Sequence, residues 1–118
     1  MKAIVLEAAD QPLKLKEVPT PDLQPGEVLV QIKAAALNRR DYWITIGTYA
    51  GIKYPSILGS DGAGIVAGVG SDADKKWLNK EVIINPCHNW GNNPEYQNRD
   101  FTILGLPEDG TFAEYVKV

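Results

Sequence analysis

Four residues within one short stretch carry groups suited to polar catalysis: Asn38, Asp41, Trp43 and Tyr49. An amide and a phenol donate hydrogen bonds, a carboxylate accepts them, and an indole offers a flat apolar face. The run Asn38 to Ile46 has the pattern of a helix that Gly47 ends. In such a helix Asn38 and Asp41 lie on neighbouring faces, because residues three apart meet. The same residues also have a plain reading. Asn38 caps the helix, Asp41 suits the dipole of its first turn, and Trp43 and Tyr49 pack. Composition alone favours the plain reading.

Two other motifs invite a chemical reading and resist it. Residues 59–70 are glycine-rich, but Gly68 falls one position beyond the third glycine of a dinucleotide fingerprint. β-Branched residues follow instead of a helix, so the segment reads as a strand whose glycines let it bend or pass close to another backbone. Cys87 and His88 are adjacent, and the chain has no other cysteine or histidine. Zinc takes about four ligands, so the pair reads as a small thiol and a loop imidazole, and no metal site is expected.

The elements that must position these groups are mostly short strands. Met1–Leu6 alternates, with Ala3 and Val5 on one side. Leu13–Lys16 alternates as a strand with one face in water. Glu27–Ala34 places Val28, Val30 and Ile32 on one face, while Ile65, Val66 and Val69 lie in the glycine-rich strand. Val82–Ile84 is a further apolar strand, and Phe112–Val118 alternates again. Only Asn38–Ile46 reads as helical. Strands broken by Pro and Gly point to a barrel or sandwich. Residues 85–110 show little periodicity but hold Trp90, Tyr96, Phe101, Ile103 and Leu104. A segment this long is expected to pack on itself or on a partner.

The 118 residues fit a single domain, 1–118, with enough chain to bury a core. Hydrophobic residues make up 44% and the net charge is −3 with the basic residues scattered, which speaks against a nucleic-acid protein. A lone cysteine excludes an internal disulfide and suits a reducing, cytoplasmic compartment. No segment reads as a signal peptide or a bilayer span.

The stretches MKAIVLEAAD, PTPDLQPGEVLVQIKAAALNRRDYWITIG, PSILGSDGAGIVAGVGSDADKKW and DGTFAEYVKV occur in an order and spacing similar to the start of medium-chain dehydrogenases and quinone oxidoreductases. The resemblance covers essentially the whole chain. It implies a mainly β fold, a GroES-like partly open β-barrel with short helices. It also implies that a Rossmann domain carrying NADPH or NADH follows, that the chain is a domain or fragment inactive by itself, and that one wall of the substrate cleft lies here.

Departures from the zinc-dependent members refine that expectation. Those members carry Cys where this chain has Asn38, and a His-Glu pair where it has Ser60-Asp61. They also place four cysteines in the region of residues 85–110, where this chain has only Cys87. The catalytic and structural zinc are therefore expected to be lost, and apolar residues must hold the lobe. Asn38, Asp41 and Tyr49 resemble the pattern of zinc-free quinone oxidoreductases, in which the matching Asn and Tyr line the nicotinamide and substrate cleft. Trp43 stands where many relatives have Tyr. Asn79-Lys80-Glu81-Val82 departs from a usual Gly-Asp-x-Val turn.

The resemblance implies hydride transfer to a quinone, enone or other carbonyl compound. Asn38 and Tyr49 would act as catalytic donors, with Asn38 also toward the cofactor, and Asp41, Trp43, Ser60 and Asp61 would complete the substrate wall. The implied partners are a small carbonyl or quinone substrate and the Rossmann domain of the same protein, with room for a homo-oligomer. Two alternatives stay open: a non-catalytic co-chaperonin-like module whose segment Trp90–Leu106 binds a partner, and an enoyl-reductase module of a larger synthase.

Overall fold

A computed structural model describes all 118 residues. Strand β1 (Lys2–Leu6) lies between β2 (Lys14–Glu17) and β4 (Ser56–Ile57) in a three-stranded sheet. A four-stranded sheet has the order β6 (Glu81–Ile83), β5 (Asp61–Val69), β3 (Val28–Ala36) and β9 (Tyr115–Lys117). Strands β7 (Cys87–His88) and β8 (Thr102–Ile103) pair by themselves. The sheets do not close into a full barrel, in keeping with the partly open form the resemblance implies.

β3 and β5 form the backbone of the domain. Their antiparallel register slips at Leu29/Val30 and again at Ile32/Ala34, and irregularities of this kind bend a strand and sharpen its twist. The glycines of β5 are needed for close approach rather than for a nucleotide. A Cβ on Gly64 would sit 2.0 Å from the carbonyl oxygen of Gln31 on β3. Residues 110–114 join the two larger sheets: Phe112 N–H donates to Leu58 O at 3.0 Å, and Ile4 N–H to Phe112 O at 2.8 Å.

Three apolar groups make the core. Val30, Val66, Ile84, Leu104 and Val116 fill the space beneath the four-stranded sheet. Leu6, Ile44, Leu58 and Leu106 pack under the helix, and Ala3, Val5 and Ile57 pack beside β1. Helix α1 (Arg39–Thr45) therefore has one committed face, through Ile44. Its first turn is set by Asp41, whose Oδ2 accepts the Asn38 N–H at 2.8 Å. Gly47 follows at φ +75°, a left-handed backbone that glycine adopts without steric cost.

Several local readings change. Both Leu13 and Leu15 are exposed, so β2 lies open on both faces rather than on one. A 3₁₀ segment, Asp72–Trp77, adds a second short helix. Its register was hidden because 3₁₀ turns are short and carry no 3.6-residue stripe. Asn79 has φ +63°. The turn there requires left-handed backbone, which asparagine tolerates better than most side chains. Residues 85–110 are ordered by the β7–β8 pair and by burial of Leu104 and Leu106. Trp90 and Phe101 meet edge to face at 5.5 Å. No helix is long and apolar enough to cross a membrane.

Candidate active site

The tight link between the end of β4 and the start of β5 places Ser60 and Asp61 opposite the start of α1. Asn38 occupies the N-cap with extended backbone, φ −115° and ψ 154°. Its side chain does not cap the helix. Asn38 Nδ2 instead donates to Asp61 Oδ2 at 2.9 Å. A primary amide has a second N–H and a carbonyl oxygen, and these remain available to another group. Asp61 thus holds the amide in one orientation.

Asp41 has a different place. It is buried, and besides accepting from Asn38 it accepts the Gly59 N–H through Oδ1 at 3.2 Å. Both carboxylate oxygens are engaged with main-chain donors, so Asp41 pins α1 to the turn that carries Ser60.

The residue that organises the centre is Arg40. Its Nη1 donates to Ser60 Oγ and to Leu104 O, each at 2.8 Å. Its Nη2 donates to Leu106 O at 2.7 Å and Ile103 O at 3.3 Å, and its Nε to Tyr49 Oη at 3.3 Å. The guanidinium lies 5.2 Å from the centre of the Tyr49 ring. Every N–H of the fork has an acceptor, and none of the acceptors is charged. Because Tyr49 Oη accepts from Arg40, its own hydrogen is free to donate outward. Ser60 is buried and passes its hydrogen to Leu104 O at 2.8 Å.

The structure therefore unites Asn38 with Asp61, and Tyr49 with Ser60 through Arg40. Trp43 stands apart on the outer face of α1, edge to face with Tyr42 at 5.2 Å and 5.9 Å from Arg39. Reasoning from sequence missed Arg40. The only available signal was the Arg39-Arg40 pair, and the carbonyls that Arg40 binds lie more than sixty residues along the chain.

These features sit on a fold shared with known proteins. A family model, the alcohol dehydrogenase GroES-like domain, matches residues 24–118. The chain belongs to that family. It is 40% identical over 118 residues to the zinc-type alcohol dehydrogenase-like protein YogA of Leptosphaeria maculans, covering 91% of this chain and 32% of that protein. A crystal structure of an NAD-dependent alcohol dehydrogenase matches with TM-score 0.86 at 35% identity, over 100% of this chain and 37% of that one. A cobalt- and zinc-bound alcohol dehydrogenase from Pyrobaculum aerophilum matches with TM-score 0.88 at 28% identity, over 100% of this chain and 38% of that one. The chain spans about a third of the length of the curated relatives it matches.

Zinc occurs among these structural relatives, so the donors of this GroES-like domain decide whether its own residues fit an ion. No three His, Cys, Asp or Glu residues stand close enough to share one. At the cleft the chain offers an amide, a hydroxyl and one carboxylate, and the first two are poor zinc ligands. The hydroxyl of Ser60 also accepts from a guanidinium at 2.8 Å, a fixed positive charge that repels a divalent cation. This donor set does not fit zinc.

Proposed function

We propose that this GroES-like domain forms the substrate side of an NAD(P)H-dependent, zinc-independent oxidoreductase that reduces quinones, enones or related carbonyl compounds. The observation that carries the reading is the pair of neutral donors backed by charged partners: Asn38 Nδ2 held by Asp61 and Tyr49 Oη held by Arg40. The nicotinamide, bound mainly by a further nucleotide-binding domain, supplies the hydride. The residues of this chain then act on the other end of the substrate. As hydride adds, negative charge grows on the substrate oxygen, and preorganised N–H and O–H donors stabilise it without reorganising. Asn38 donates its free N–H, and Tyr49 donates the hydroxyl hydrogen that Arg40 leaves unengaged. Ser60 and Asp41 position this apparatus, Ser60 by anchoring Arg40 and Asp41 by fixing α1. Trp43, on the outer face of α1 against Tyr42 and Arg39, stays outside this apparatus. NADPH is the preferred donor in this reading, and a reducing cytosol suits the exposed Cys87.

The co-chaperonin reading finds less support. A mobile partner-binding segment is hard to reconcile with the burial of Leu104 and Leu106 in two separate core groups.

The test is an assay of the protein joined to its nucleotide-binding domain. NADPH oxidation with 1,4-benzoquinone or an enone, together with less than about a tenth of an equivalent of zinc by elemental analysis, is the expected result. Turnover that needs one tightly held zinc per chain would refute the zinc-independent reading.

A further inference from the structure

Beside Arg40 and Tyr49 opens a cleft of about 530 Å³ between the turn after α1 and residues 97–107. Its wall is apolar at Phe101, Ile103, Leu106 and Pro107, and polar at Arg40, Tyr49 and Gln97. No aspartate or glutamate lines it. None of the ion pairs of the domain includes Arg40. The nearest acid in sequence, Asp41, turns its oxygens to the main chain of Asn38 and Gly59, and Asp61 is engaged by Asn38. The five acceptors around the guanidinium are carbonyls and hydroxyls. They satisfy its hydrogen-bonding but leave its unit charge intact, and a half-buried charge with no ion-pair partner within 4 Å favours an anion in the adjoining space. In the same wall Thr102 Oγ1 has no hydrogen-bond partner within the protein.

We infer that this cleft takes ligands with a flat apolar body and an anionic group, so that the substrates of the domain are carbonyl compounds bearing a carboxylate or phosphate. The apolar wall receives the body. The guanidinium attracts the anion through the field it projects past Tyr49, whose one hydroxyl hydrogen stays with the carbonyl oxygen, and Gln97 on the same wall offers an amide N–H for the direct hydrogen bond. The inference rests on the reductase reading for the word substrate; anion binding itself does not depend on it.

Two isosteric probes separate charge from shape: trans-cinnamate and trans-cinnamamide. Titration of the 118-residue chain, followed by amide chemical shifts, is expected to show cinnamate binding about tenfold more tightly, the ratio produced by about 1.4 kcal/mol. Shifts should cluster at residues 49–51 and 97–107, and the preference should shrink with added salt. Gln97→Glu places a carboxylate on the exposed wall without touching the core, and it should erase the preference. Arg40→Met should do the same in whatever fraction stays folded by circular dichroism. Equal binding of the two probes, no binding of cinnamate at millimolar concentration, or a preference unchanged by Gln97→Glu would overturn the inference. Any of these results leaves the reductase reading standing. Conversely, cinnamate binding without NADPH-dependent turnover in the two-domain protein would remove the reductase reading and keep the anion site.

Discussion

In the proposed mechanism Asn38 and Tyr49 each donate to the substrate oxygen from a side chain whose other polar contact is already made. That arrangement makes them separable by experiment from ordinary packing residues. In the protein carrying its nucleotide-binding domain, Asn38→Ala and Tyr49→Phe should each lower kcat/KM by roughly a hundredfold, the loss typical of one donor to a developing oxyanion. A fall confined to KM would mean that the donor serves ground and transition states alike. Wild-type kinetics in both variants, after correction for folded fraction, would take these residues out of the site. At this scale the polar residues of the 38–49 stretch could be read from the sequence, but their roles could not. Asp41 reads as a first-turn acid and proves to be a brace for two main-chain amides. Arg40 reads as half of a surface pair and proves to be the hub.

At the scale of elements, the pairing of β3 with β5 depends on glycine at one position. Gly64→Ala puts a methyl group 2.0 Å from the Gln31 carbonyl oxygen, and a clash with backbone cannot be relieved by a rotamer change. The variant should lose about 3 kcal/mol, seen as a fall of about 10 °C in melting temperature. A change within 2 °C or so would show that the strands can separate at little cost. The 85–110 lobe makes a milder demand. Trp90 remains 42% exposed, packs on Phe101 and donates Nε1–H to Asn93 O at 3.0 Å. Trp90→Ala should therefore cost about 1.5 kcal/mol, a fall of about 5 °C. No change in melting temperature would mean that the lobe is held by Leu104 and Leu106 alone. The aromatic content of this lobe was legible in the sequence. Its β7–β8 pairing was not, because strands of two residues leave no alternation to read.

Across the whole molecule, three carboxylates are held below their ordinary range by specific hydrogen bonds. Glu7 is drawn down to about 2 from 4.5 by hydrogen bonds from Lys14 and Lys16. Glu27 is lowered by the Gln24 N–H and by Lys117, which tie the start of β3 to β9. Asp74 is lowered by Ser71 and by the Gly26 N–H, which tie the 3₁₀ segment to the turn before β3. A carboxylate with a depressed folded pKa contributes stability above its unfolded value, and that contribution is lost as pH falls toward the folded value. Stability should therefore be level at neutral pH and decline from about pH 4.5 downward. Denaturant midpoints at pH 7, 5, 4 and 3 check this, and Glu27→Gln should flatten the decline. A midpoint that stays constant to pH 3 would show that these exposed bonds are screened away.

Local information sufficed for what is written locally. The alternation of Val28, Val30 and Ile32, the apolar face of β1, the helix between Asn38 and Gly47 and the failed glycine fingerprint all depend on residues within a few positions of one another. That Asn38 and Ser60 bring an amide and a hydroxyl, both weak zinc ligands, is equally visible, because a side chain's donor chemistry does not depend on its neighbours. Tertiary structure decided the rest. It brought Leu104 and Leu106 from the far end of the chain to meet Arg40, turned Asn38 from the helix to Asp61 and left the guanidinium with five neutral acceptors. The physical reason is that main-chain carbonyls have no sequence signature. An arginine that binds them can be recognised only after the chain has folded them into reach.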